Sequence, residues 1–301
     1  AWNAVICGPD GIPWIVGYTG SFTGNGRKEA VVARIAPDGR TLTGCRFALP
    51  SEPLSDALGL DLAPLAGAAG IAVTGSVGPA GAERAYVAAF DSDLLPLWGR
   101  IFEGSDQAQR GKSIIATTSG GLVVGGESDV LDETVIRPGG FVVATGADGW
   151  PVWGSRHIPA GALAVTRIDD LVLTPYAEVV AVGRHWDQLA QPPRDIVVEA
   201  RWAADGYLLS NRGYDLGPQG GSTAISTDRW SEMHLAGTVL GQEPGGVDAY
   251  VVKTLLNGTA CLPDIGGPPF SSWLPACSAV DLAPTTFTTT LADGWLQPFP
   301  P

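Results

Sequence analysis

The sequence predicts an all-β fold: a β-propeller of about five four-stranded blades over residues 1–264, followed by an extended Pro/Thr-rich C-terminal tail or strap over 265–301. Three observations predict it: a residue mixture that disfavours long helices, a repeat of about 55 residues, and hairpin turns between short apolar runs. The 301 residues include 41 Gly and 24 Pro; 45% are apolar and only 16% charged. Gly and Pro destabilise helix interiors. Apolar runs broken by turn residues read instead as short strands, and a chain of this length can bury a large core.

The repeat is carried by two markers. Val32, Val87, Val142, Val197 and Val251 recur at steps of 55, 55, 55 and 54 residues. A glycine closing a β-rich run recurs as Gly17, Gly75, Gly126, Gly183 and Gly237, at steps of 58, 51, 57 and 54. Two markers in five copies define one supersecondary unit written five times.

The units lie near 4–48, 58–102, 112–157, 165–213 and 222–264. The first holds "GPDGIPWIVG" (8–17) and the turn "PDGR" (37–40). The second shows four strands plainly: "LGLDLA" (58–63), "GIAVTGS" (70–76), "AYVAAFD" (85–91) and "PLWGRIF" (96–102). The third carries "ATTSGGLVVGG" (116–126) and "GFVVATGADGWPVWGSRH" (140–157). The fourth has "VVAVGR" (179–184) and the fifth "VDAYVVKTLLNG" (247–258). These runs are too short for helices and rich in strand formers, and Gly, Asn and Asp supply the positive φ that tight hairpins need. Four antiparallel strands per unit of this length is propeller-blade arithmetic. In such a blade the first-to-second and third-to-fourth connections share one end. The others share the opposite end, where "TGSFTGNGRKEA" (19–30), "ESDVLDETVIRPG" (127–139), "RHWDQLAQPPR" (184–194) and "TVLGQEPGGVD" (238–248) read as long rim loops. Variable loops on a rigid frame are where binding concentrates. In the tail, "SAVDLAP" (278–284) echoes "LGLDLAP" (58–64), consistent with part of a sixth unit or with a strap. "TTFTTT" (285–290) reads as an extended linker or docking segment.

At "VDAYVVKTLLNG" (247–258) and "AYVAAFDSDLLPLW" (85–98) the chain resembles the bacterial β-propeller-repeat proteins, an exported family of propeller repeats. "GPDGIPWIVG" and "ATTSGGLVVGG" match the first half of their unit. The resemblance spans 4 to about 264. It implies a propeller, export, and a binding or scaffold role, and it names no chemistry. The tryptophan of the fourth strand is kept at Trp98 and Trp153, but Thr43 stands there in the first unit.

Charge narrows the partners. Net charge is −13, with Lys only at positions 28, 112 and 253, so the clustered cations that hold nucleic acid are missing. No apolar run is long enough to span a membrane as a helix. The chain starts at Ala1 with no visible signal segment, which fits a processed chain. Cys7, Cys45, Cys261 and Cys277 include no C-x-x-C pair, which disfavours zinc. Their even number fits disulfides in an oxidising compartment; Cys261 and Cys277 close a short loop and form the expected bridge, with free buried thiols the alternative.

Motifs of catalysis and metal binding were sought at the three histidines, His157, His185 and His234. There is no H-E-x-x-H, no G-x-S-x-G elbow and no complete phosphate loop at "RGKS" (110–113). No cofactor, catalytic residue or metal ligand is therefore expected. Asp61 and Asp169 or Asp170 lie near strand starts, where a glycosidase pair would sit, but such aspartates are more often structural. The candidate binding set is Arg184, His185, Trp186 and Asp187, placed on one long rim loop; Trp and Arg favour interface centres. Trp150 and Trp153 read as core. The sequence therefore points to a non-catalytic exported propeller, a protein-binding or structural module of a cell-surface or extracellular (or periplasmic) assembly. A lectin-like carbohydrate-binding propeller is the alternative, and a glycoside hydrolase the third reading.

Overall fold

A computed structural model describes residues 1–8, 10–20, 27–47, 56–65, 70–103, 107–132, 135–158, 164–187, 194–215, 221–228, 232–240, 247–254, 271–272, 276–279 and 285–290. All of its regular structure is β, in five antiparallel sheets arranged as the blades of a propeller. Blade one is β1 (Trp2–Cys7), β2 (Pro13–Thr19), β3 (Glu29–Ile35) and β4 (Thr41–Phe47). Blade two is β5 (Asp56–Pro64), β6 (Gly70–Gly78), β7 (Arg84–Asp91) and β8 (Pro96–Glu103). Blade three is β9 (Ala108–Ala116), β10 (Leu122–Asp132), β11 (Val135–Thr145) and β12 (Pro151–His157). Blade four is β13 (Ala164–Leu173), β14 (Val179–Asp187), β15 (Arg194–Trp202) and β16 (Leu208–Asp215). Blade five is described as β17 (Gly221–Thr227), β18 (Met233–Leu240) and β19 (Val247–Thr254); the fourth strand expected by residue 264 lies outside the described residues, as does "NG" at 257–258. The four strands β1 to β4 of blade one come from one continuous run of chain.

The first strands β1, β5, β9, β13 and β17 follow one another around the axis, each in contact with the next. Apolar side chains fill the seams between successive sheets. Trp14, Val16, Val32 and Phe47 meet Val73, Tyr86 and Phe90 between blades one and two. Val87 and Phe102 meet Ile114, Val124 and Phe141 between two and three. Val123 and Val142 meet Ile168, Ala181 and Trp202 between three and four. Val180, Val182 and Tyr214 meet Ile225, Met233 and Leu235 between four and five. Among the described residues no such cluster joins blade five to blade one. The periodic valines 32, 87 and 142 are fully buried at seams, whereas Val251 of blade five is 71% exposed.

The glycine marker has a different cause. Every first strand carries a bulge opposite its second strand, or the register slips there: at Asn3, Leu60, Lys112, Asp169 and Thr223. A bulge places one extra residue in a strand and bends it. The bent strand drives a carbonyl oxygen onto its partner. A Cβ at Gly17, Gly75, Gly126 or Gly183 would fall on the carbonyl oxygen of Ala1, Leu58, Arg110 or Arg167. Only glycine fits opposite the bulge.

The short-connection end is built from one repeated turn. In 8–12, 117–121, 146–150 and 203–207 the first residue's N–H donates to the fifth residue's carbonyl, and the fourth is a glycine with positive φ; in 36–41 the Ala36 N–H donates to the Thr41 carbonyl, one residue further on, with Gly39 at positive φ. Two copies depart from glycine: Leu94 at φ 65° and Ala177 at φ 60°. A left-handed L-residue costs about 1–2 kcal/mol. Ala177→Gly is therefore expected to stabilise the protein by about 0.5–1 kcal/mol after glycine's extra unfolded-state entropy is counted, read as a rise in the thermal midpoint.

Two fourth-strand tryptophans staple their blades to the next. Trp98 lies where a Cβ on Gly149 would stand, and Trp153 covers Gly206 and donates Nε1–H to the Ala204 carbonyl at 3.0 Å. Trp153 also stacks on Trp202 at 6.4 Å. Blade one, which has Thr43 in place of that tryptophan, faces a turn in which Leu94 replaces the glycine; both line one cavity. Trp150, expected in the core, is 43% exposed with the Arg100 guanidinium 4.7 Å over its ring, because it occupies the turn rather than the strand.

Two expectations about the rim are corrected. Residues 127–132 and 135–139 do not loop: β10 and β11 stay paired out to Asp132 opposite Val135. Residues 184–187 are likewise strand, paired on both sides within β14. In both places cross-strand bonds satisfy backbone groups that a loop would leave to water.

The described segments of the tail are three strands that strap blade edges. β20 (Ser271–Ser272) pairs antiparallel with β12, β21 (Ala276–Ala279) with β8, and β22 (Thr285–Thr290) with β4. It adds an outermost strand to blades three, two and one in turn. "TTFTTT" is thus a strand and not a free linker, as β-branched threonine favours. Asp281 lies outside the described residues. Cys277 packs half-buried against the seam of blades two and three beside Trp98 and Leu65, and burial pushes its thiol up to about 11. Cys7, Cys45 and Cys277 are free thiols; Cys261 lies outside the described residues, so the expected Cys261–Cys277 bridge finds no support.

Candidate binding site

Side chains at the bulges tie neighbouring blades together. The Asp61 carboxylate accepts from the Ile114 N–H of the next blade at 2.8 Å. Ser113 Oγ donates to Asp170 Oδ1 at 2.9 Å, and Asp170 Oδ2 accepts from the Ile225 N–H of blade five at 2.8 Å. Asp170 also accepts from its neighbour Leu171 N–H at 2.8 Å. In blade one, Asn3 Nδ2 donates to the Gly59 carbonyl at 2.7 Å. In blades three and five an N–H just past the bulge thus finds a carboxylate acceptor on the blade before it. Asp61 and Asp170 spend their oxygens on this belt. Asp169 spends its own on Arg167 Nε at 2.9 Å and on Lys112 Nζ at 3.8 Å.

Burial pushes the Asp61 carboxyl up to about 6, against the pull of the Ile114 and Leu62 N–H groups. Its protonated form is the one the fold favours. That contribution is complete below the ordinary carboxyl value of 3.8 and is lost as pH rises through about 6. Unfolding free energy measured in urea should fall across this window by up to about 3 kcal/mol on account of this group, and Asp61→Asn should flatten the fall.

Above the belt, towards the long-connection end, charged residues run across three blades. Arg110 binds Glu83 at 2.9 Å, Glu127 at 3.2 Å and Asp129 at 3.4 Å. Lys112 binds Glu127 at 2.7 Å and reaches Asp169, the partner of Arg167. Beyond Arg167 a cavity of about 380 Å³ opens, lined by Val165, Arg167, Arg184 and Trp186. Val165 lies opposite Trp186, and Arg167 opposite Arg184, on the paired strands β13 and β14. Strand alternation puts all four on the face that carries Val182 towards blade five.

The four predicted residues therefore separate. Arg184 and Trp186 share the cavity. His185 points to the opposite face, its Nδ1 2.7 Å from Thr166 Oγ1 and its ring edge-on to His157 at 5.6 Å. Asp187 is described through its backbone, paired with Ala164 and Arg194; its side chain lies outside the described residues. A set read as one loop becomes two faces because a strand turns over at every residue. Val165 and Arg167 were missed. The signal that finds them is the glycine marker: one step beyond Gly183, opposite the bulge, the register dictates the partner.

That register exposes a contrast between blades. One residue past the glycine, the cross-strand pair is Leu58 with Ser76 in blade two and Arg110 with Glu127 in blade three. In blade four it is Arg167 with Arg184. There Arg167 takes its acidic partner from its own strand, Asp169, at 2.9 Å.

Elsewhere, Asp228, Glu232 and His234 gather at the start of β18 with ligand atoms within 4.8 Å of one another. Glu232 is already engaged by Lys253 Nζ at 2.5 Å. No helix among the described residues is long and apolar enough to cross a membrane. No protein-family model matches the chain, and neither does any curated protein.

Proposed function

We propose that the chain is a non-catalytic exported propeller that binds a protein partner in a cell-surface or extracellular assembly. The observation that carries this reading is the cavity of Val165, Arg167, Arg184 and Trp186, which combines tryptophan and arginine, the residue types that anchor interfaces, on a rigid strand pair. The commitment of Asp61, Asp169 and Asp170 to backbone, hydroxyl and cationic partners supports a non-catalytic role, since a glycosidase needs carboxylates free to meet a sugar. The resemblance of the repeat to bacterial β-propeller-repeat proteins supports the exported setting. Equivalent positions in the other blades hold Tyr18, Ser76, Glu127 and Thr238, which speaks against a sugar site repeated around the ring.

The test is capture of a partner by the full chain from native envelope or culture medium, in parallel with Trp186→Ala. A partner retained by the parent and lost by the variant is the expected result. A partner held equally by both would remove the cavity from the reading, and tight binding to a glycan array would replace it with the carbohydrate-binding one.

A further inference from the structure

We infer that the cavity between blades one and two receives Trp295, a residue of the segment 291–301 that follows the strap strand β22 and lies outside the described residues. Between blades two and three, and again between three and four, a fourth-strand tryptophan closes the seam at the turn end. Trp98 stands opposite Ala89, and Trp153 opposite Ala144. The same register in blade one sets Thr43 opposite Arg34. Arg34 restores the hydrogen bond of the staple. Its guanidinium donates to the Ser92 carbonyl of the blade-two turn, as the Trp153 N–H donates to the Ala204 carbonyl of the blade-four turn. It does not restore the volume. A cavity of about 290 Å³ remains, with Ile12, Arg34, Ala36, Pro37, Thr43 and Leu94 among its walls. Those walls forfeit the dispersion contacts that an indole gives in the other two seams.

The strap brings a tryptophan to this place. β22 runs antiparallel to β4 and ends with Thr290 opposite Thr41, two residues from Thr43. Antiparallel partners lie about 4.5–5.5 Å apart at Cα. The five residues from Thr290 to Trp295 span up to about 17 Å when extended, so Trp295 reaches the cavity with chain to spare. The sequence also favours this end of the blade. Ala292-Asp293-Gly294-Trp295 repeats Ala147-Asp148-Gly149-Trp150, and each run begins two residues after the last threonine of a strand, Thr290 or Thr145. At 146–150 these residues reverse the chain, with Gly149 at φ 80°. The tryptophan so placed in blade three reaches across the seam to blade two, where the Arg100 guanidinium lies 4.7 Å over its ring. Arg34 is the equivalent partner in the cavity. Trp14 takes one face of its guanidinium at 4.9 Å, and a planar guanidinium has a second face on which a ring can stack.

The full chain is labelled with 5-fluorotryptophan, and the Trp295 fluorine resonance is the one lost in Trp295→Phe. In the parent it is expected away from the position of the free amino acid. It should return there in Thr43→Trp, which plugs the cavity from within β4. Thr43→Phe, a smaller plug, gives the same reading where the larger side chain disturbs folding. Thermal denaturation is the second arm. Trp295→Ala should lower the midpoint by about 3–6 °C in the parent. In the plugged chain the same change should cost no more than about a third of that, because residues that share one cavity are not additive. A Trp295 resonance at the free position in the parent would overturn the inference. So would a displaced resonance that neither plug moves, since the indole would then pack against another surface. Equal losses from Trp295→Ala in the plugged and parent chains would overturn it as well.

Discussion

Asp170→Ala is expected to lower the unfolding free energy by about 3–5 kcal/mol. The carboxylate is the acceptor for three donors: the Ile225 N–H of blade five, the Leu171 N–H of its own strand and the Ser113 hydroxyl of blade three. Truncation strands those groups in a partly buried belt, at about 1–3 kcal/mol for each buried donor left unpaired. Burial holds the Asp170 carboxyl above the usual carboxylate range, so removing a charge that the site disfavours offsets part of the loss, and the total stays at the lower end of the sum. Asp170→Asn, which keeps an acceptor oxygen and carries no charge, should lose less than half as much. Chemical denaturation at pH 7 reads both. An alanine variant as stable as the parent would show that water replaces the belt and that the bulge aspartates do not hold the blades together.

Shortening the chain to residues 1–270 is expected to cost about 3 kcal/mol, a fall of roughly 5–10 °C in thermal midpoint for a chain of this size, and to drive self-association. β20, β21 and β22 cover the outer edges of blades three, two and one. Their net hydrogen-bond gain of about 0.5–1.5 kcal/mol per bond is set against the entropy of ordering the segment. Cys277 also leaves the seam beside Trp98 when the strap goes. The uncovered strands β4, β8 and β12 would each present a row of free N–H and C=O groups, the template for edge-to-edge pairing. Light scattering coupled to gel filtration, with calorimetry, checks both effects. A monomer with an unchanged midpoint would show that the strap's pairing contributes nothing to the native state.

Composition and spacing were enough for the architecture. Val32, Val87 and Val142 mark the seams because identical blades must bury identical positions. Gly17, Gly75, Gly126 and Gly183 mark the bulges because nothing larger fits there. Both are local steric demands, met in three blades by the valines and in four by the glycines, and repetition makes them visible in a chain. Tertiary structure alone decided what depends on partners distant in sequence. Arg184 and Trp186 came to share a cavity with Arg167 and Val165 across a register that a bulge had shifted, while His185 turned away to His157. Asp61 and Asp170, read as a conceivable catalytic pair, were claimed by the backbone of the following blades. The threonine run at 285–290, read as a linker, found the open edge of β4 more than two hundred residues earlier in the chain. Sequence sets what each residue needs in hydrogen bonds, burial and charge; only the assembled fold settles which distant group meets that need.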